Sequence, residues 1–151
     1  MEQNEFSALI SNLAGDLKLA SPVGAGASFT IKLHNNLSTV LDLVDKQFLL
    51  ISCAQGCHDK ADMGFLWNIL QANLLSDANP PIVNAGVQHE NLIFCWLRIP
   101  LADLDRGQIK FHVERFMSHV TTVNDWIMTV PRRVPAARGA LDRILMKGAP
   151  V

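Results

Sequence analysis

Leu66 to Asp77 reads LWNILQANLLSD, and the placement of its apolar residues decides how the rest of the chain is understood. At about 100° per residue, Met63, Leu66, Trp67, Leu70 and Leu74 share one stripe of a helix. Phe65, Ile69 and Ala72 form a second stripe nearly opposite, with Asn68 and Gln71 as a narrow polar wedge between the two. A helix apolar on two sides must pack on two things. One is the chain's own sheet. The other is either a further layer of the same subunit or a symmetry-related copy, and a chain with few helices supplies such a layer poorly. The expectation is a homodimer with Phe65, Ile69 and Ala72 at its interface.

After this helix, Asp77 to Pro81 breaks the chain, and Ile82 to Val87 and Asn91 to Ile99 read as a hairpin around His89-Glu90. In the second of these strands Leu92, Phe94, Trp96 and Arg98 share a face opposite Ile93, Cys95, Leu97 and Ile99. Pro100 ends the strand, and Asp103 or Asp105 caps a final helix whose buried stripe is Ile109, Val113, Phe116, Val120, Val123 and Ile127. His112 and His119 lie seven apart on that helix, a spacing read as solvated rather than ligating.

Before the central helix, Phe6, Leu9, Ile10 and Leu13 recur at helical spacing over Asn4 to Ala14, with Gly15 placed to end that helix. Ser21 to Ala27, SPVGAGA, reads as a loop. It does not match a nucleotide-binding fingerprint, because no third glycine follows at the required spacing and the next segment is a strand. Ser28 to Leu33 alternates, with Phe29, Ile31 and Leu33 on one face. Leu37 to Val44 and Gln47 to Cys53 follow as strands across the His34-Asn35-Asn36 and Asp45-Lys46 turns, so the three form an antiparallel meander.

The last two of these three strands are apolar on both faces, and three long helices cannot cover both faces of the sheet. One face is therefore expected to be partly open, a mark of a protein-binding surface. Charged residues prefer the solvent side, so Asp42 and Arg98 mark the open faces. Val40 and Val44 share the face of Asp42, and Phe94 and Trp96 share that of Arg98. These four are the candidate binding residues, Trp96 foremost because aromatic anchors often dominate binding energy. The competing reading of Trp96 is an ordinary core residue.

With 151 residues, 49% hydrophobic and 18% charged, the chain suits one domain with a real core, and a net charge of −1 does not point to nucleic acid. No apolar run reaches the ~18 residues of a membrane span, and MEQNEFSALI lacks the basic and apolar regions of a secretion signal, so a cytoplasmic location is expected. Cys53, Cys57 and Cys95 have no framework spacing and read as reduced thiols. Cys53, Cys57, His58, Asp59 and Asp62 lie close together, but one C-x3-C-H without a second ligand pair is weak for zinc, and a polar loop is the alternative. No metal, no cofactor and no catalytic residue is assigned, because no nucleophile, base or carboxylate pair is marked out.

The order and spacing of these apolar segments resemble the type III secretion chaperones similar to the Tir chaperone. The matching residues are Leu66, Leu70, Gln71, Ala72, Asn73, Leu74 and Leu75, then Ile99, Pro100, Leu101 and Leu104, then Phe116 and Trp126, within a likeness spanning residues 4 to 127. The resemblance implies a bacterial cytoplasmic homodimer that holds the N-terminal segment of one or more secreted effector proteins soluble and competent for secretion, as part of virulence. It also implies contact with the secretion apparatus and no enzymatic turnover. The alternative is a cytosolic regulatory module that binds a folded partner with the same fold.

The expected fold is α+β: a twisted antiparallel sheet of five to six strands with three helices, in the order α-βββ-α-ββ(β)-α, as one domain over residues 1–130. Residues 131–151 differ in character, with Arg132, Arg133, Arg138, Arg143 and Lys147 against Asp142 alone. That tail carries +4 while residues 1–130 carry −5. A flexible basic extension that orders on a partner, or an ordinary disordered terminus, both fit.

Overall fold

The computed structural model describes residues 1–33, 37–56, 69, 71, 73, 79–87, 92–102 and 105–129. Helix α1 (Gln3–Asp16) buries Phe6, Ile10, Leu13 and Ala14. It runs past Gly15, and the left-handed residue that ends it is Lys18, with φ 54°. There Leu19 N donates to Ala14 O at 2.9 Å and Lys18 N to Gly15 O at 3.1 Å, the paired bonds of a Schellman stop.

Among the described residues six strands follow: β1 (Val23–Ala25), β2 (Ser28–Lys32), β3 (Ser38–Val44), β4 (Phe48–Gly56), β5 (Val83–Val87) and β6 (Leu92–Pro100). They form one antiparallel sheet in the order β1-β2-β3-β4-β6-β5. The segment Ser21 to Ala27, read as a loop, thus contains an edge strand. Its glycine is needed because a Cβ on Gly24 would meet Ser28 O at 2.3 Å, so only a bare backbone fits against the start of β2. The Asp45-Lys46 turn is as expected: both residues take positive φ, and Gln47 N donates to Val44 O at 3.0 Å, as the right-handed twist of a hairpin favours.

Alternation then sorts the side chains. Phe29, Ile31, Leu41, Leu49, Ile51, Cys53, Ile93, Cys95, Leu97 and Ile99 are all buried on one face. The two-faced apolar strands are the central ones: β4 pairs with β3 on one side and with β6 on the other. The edge strand β5 carries Asn84 and Gly86, residues that suit an edge better than a centre.

Among the described residues, α1 and the final helix both pack on the buried face. The ring of Phe6 on α1 lies 5.8 Å from that of Phe29. The final helix α2 (Arg106–Thr129) lays Ile109, Val113, Phe116, Val120 and Val123 into the same core. Asp105 caps it, accepting from Gln108 N at 2.8 Å while Gln108 Oε1 accepts from Asp105 N at 2.9 Å. Gln55 ties β4 to α2 by donating from Nε2 to Val120 O at 2.9 Å. Residues 131–151 lie outside the described residues.

Candidate protein interface

The opposite face of the sheet is assembled by register. Val40 pairs with Ser52, Ser52 with Trp96 and Trp96 with Val83, so Val40 and Trp96 stand in one cross-strand row. The neighbouring row runs Ser28, Asp42, Leu50, Arg98. Val44 lies opposite Phe48, and Phe94 lies between Ala54 and Ala85. The faces marked by Asp42 and by Arg98 are therefore a single face, and all four candidates, Val40, Val44, Phe94 and Trp96, lie on it. Each is half-buried rather than sealed in the core.

Phe48 and Leu50 belong to this face too, and sequence reasoning missed them. Strand β4 carries no charge on either side, so alternation alone does not tell Phe48 and Leu50 from Leu49 and Ile51. The Phe94 and Trp96 rings lie 5.8 Å apart, and the Arg98 guanidinium carbon sits 3.8 Å from the centre of the Phe48 ring. Ser28 Oγ donates to Asp42 Oδ1 at 2.5 Å. Apart from Lys32 at the far end of β2, Asp42 and Arg98 are the charged residues that the described strands place here. The face offers rings, aliphatic groups and two anchored charges, an arrangement suited to holding a polypeptide.

The sequence expectations for the central helix divide. Ile69, Gln71 and Asn73 are helical, as periodicity predicts. Ile69 is 3% exposed within the single chain and belongs to its core, which leaves almost no area of it for a partner. Two apolar stripes do not say which one faces the protomer's own sheet. Phe65 and Ala72 lie outside the described residues.

Asn73 does something that no apolar pattern anticipates. Its Nδ2 donates to Asn84 O at 2.7 Å, and its Oδ1 accepts from Asn84 N at 2.7 Å and from Asn84 Nδ2 at 3.0 Å. The side chain thus satisfies the outer backbone of edge strand β5. His119 continues the network, with Nε2 2.8 Å from Asn84 Oδ1.

The two histidines of α2, expected in solvent, are both packed. His112 is 9% exposed, and burial lowers its pKa, with Arg115 adding to the shift. The pKa of His119 is lowered by the same two causes in the same order. Arg115 reaches across to donate from Nη2 to Pro80 O.

Cys53 and Cys95 face each other across β4 and β6 inside the core, and burial pushes the Cys95 thiol up to about 12. Both are inert neutral thiols at neutral pH. The remainder of the cysteine-histidine cluster, Cys57, His58, Asp59 and Asp62, lies outside the described residues.

Residues 8–124 match the description of the Tir chaperone protein (CesT) family. The chain belongs to that family. Solved structures repeat the architecture. The Yersinia pestis type III secretion chaperone SycH, in complex with a fragment of YscM2, aligns with 18% identity and a TM-score of 0.58, over 83% of this chain and 99% of that one. The ExoT-SpcS complex of Pseudomonas aeruginosa aligns with 20% identity and a TM-score of 0.56, over 78% and 95%. The ExsC-ExsE complex aligns with 14% identity and a TM-score of 0.66, over 88% and 99%. A comparison with curated protein sequences returned no match. The family member described here therefore has the α+β secretion-chaperone fold, with six antiparallel strands. Among its described residues no helix is long and apolar enough to cross a membrane.

Proposed function

We propose that this chain is a cytoplasmic type III secretion chaperone that binds the N-terminal segment of one or more effector proteins on its open sheet face and keeps it soluble and secretion-competent. The observation that carries this reading is that Val40, Val44, Phe94 and Trp96 converge on one half-buried face. An apolar sheet face left open by its own helices holds an unfolded segment without chemistry, so the protein works by binding and needs no turnover, metal or nucleotide. Membership of a chaperone family and the fold shared with SycH support it. Contact with the secretion apparatus and a part in virulence belong to the same proposal.

The functional unit is a homodimer. Ile69 lies in its own core, so the partner-facing area falls to Phe65 and Ala72 or to the stripe of Trp67, Leu70 and Leu74. Co-expression of the untagged chain with secreted effectors of the same bacterium tests the function: a stable complex that forms with wild type and is lost in Trp96→Ala is the expected result. Complexes unaffected by Trp96→Ala and Val40→Asp would remove the face from the site.

A further inference from the structure

Asp42, Leu50 and Arg98 stand side by side on three adjacent strands, because Asp42 pairs with Leu50 and Leu50 with Arg98. Two strand intervals separate the acid from the base, about 10 Å. Both groups are held in place. The Ser28 hydroxyl anchors the Asp42 carboxylate at 2.5 Å, and Arg98 lies against the Phe48 ring with its guanidinium carbon 3.8 Å from the ring centre. Neither forms an ion pair among the described residues, so their charges are presented rather than spent. On both sides of this row the face is apolar or hydroxylic. Lys32 stands on β2 opposite Ser38, two rows along the strands from Asp42.

We propose that the open face selects its occupant by charge pattern as well as by apolar area, taking a segment with a basic side chain for Asp42, an acidic side chain for Arg98 and aliphatic residues between them over Leu50. This rests on the reading of the face as the client site. A purely apolar segment leaves both charges partly desolvated and unpaired, a cost that a matched segment avoids. A segment carrying two like charges satisfies one group and is repelled by the other. Preorganisation by Ser28 and Phe48 matters because two floppy exposed charges would lose side-chain freedom on pairing and discriminate little.

The test uses fluorescent peptides with identical aliphatic residues and one of three charge pairs: lysine with glutamate, two glutamates, or two lysines. The charges are set seven apart for a helical peptide, about 10 Å, and four apart for an extended one, about 13 Å. Wild type is expected to bind the mixed peptide about threefold to tenfold more tightly than either like-charged one, with the preference shrinking at high salt. Asp42→Lys should shift the preference to the doubly acidic peptide and Arg98→Glu to the doubly basic one. The neutral pair Asp42→Asn and Arg98→Gln, which removes both charges, should remove the preference. If wild type binds all three alike at both spacings, and Trp96→Ala weakens all three alike, the charge rule is wrong while the face remains the site. If no peptide binds, or if Trp96→Ala leaves binding unchanged, the reading of the face falls and the charge rule with it.

Discussion

The carboxamide of Asn73 occupies the place of a neighbouring strand, pairing with both the N–H and the C=O of Asn84 at 2.7 Å each. An edge strand exposes unpaired backbone groups that template association with other chains. One side chain from the central helix closes that edge at Asn84, the second residue of β5. Asn73→Ala should cost about 2 kcal/mol for the lost bonds to β5. It should also raise aggregation at high concentration, measured by chemical denaturation alongside light scattering. A stability and solubility equal to wild type would show that the edge does not depend on Asn73.

Ile69 gives a second test, now of the protomer rather than the dimer. A carboxylate at a position 3% exposed would enter the hydrophobic core, so Ile69→Asp should destabilise the fold by about 4 kcal/mol or more. Leu70→Asp, on the opposite stripe, should instead yield folded monomers by sedimentation. A folded dimer in both variants would place the interface away from the helix.

Trp96 is half-buried beside Phe94, so on the proposed reading the fold should tolerate its truncation and binding should not. Trp96→Ala is expected to lower stability by about 1 to 2 kcal/mol and to weaken client binding by about 2 kcal/mol or more. Circular dichroism melts and titration with a client segment separate the two effects. An unfolded Trp96→Ala protein would return Trp96 to the core.

His112 and His119 should contribute to the acid limb of stability. Burial lowers both pKa values, so each folded-state proton is bound less tightly than in the unfolded chain. The associated stability is full above the ordinary histidine value of about 6.5 and is lost as pH falls through it toward the folded values. The melting temperature should therefore fall between pH 7.5 and 5.5, and His119→Gln should flatten part of the slope. A slope unchanged by that substitution would assign the acid limb to His112 or to the carboxylates.

Cys95 acts at the other extreme. Its thiol is raised to about 12, so folding stability that depends on its neutral form persists below the ordinary thiol value of about 9 and fades as pH climbs toward 12. In native protein at pH 8 a thiol reagent should leave Cys53 and Cys95 unmodified and reach them after denaturation. Rapid labelling of either in the native state would contradict their burial.

What the sequence determined is what local periodicity encodes. Alternation of period two on Phe29, Ile31 and Leu33, and on Ile93, Cys95, Leu97 and Ile99, names the buried side of each strand, because neighbouring side chains of a pleated strand must point opposite ways. The left-handed pair Asp45-Lys46 fixes a hairpin, and Asp105 with Gln108 fixes the start of α2, since these contacts span three residues or fewer. Tertiary structure decided the rest. Register across β3, β4 and β6 is set by pairings between residues as far apart as Leu50 and Arg98, and only that pairing merged two marked faces into one. A helix apolar on two sides leaves the direction of Ile69 open until a sheet is placed against it. The closure of β5 by Asn73 and the packing of His119 on Asn84 join three segments distant in sequence, and no periodicity reports a hydrogen bond between side chains that meet only in the folded chain.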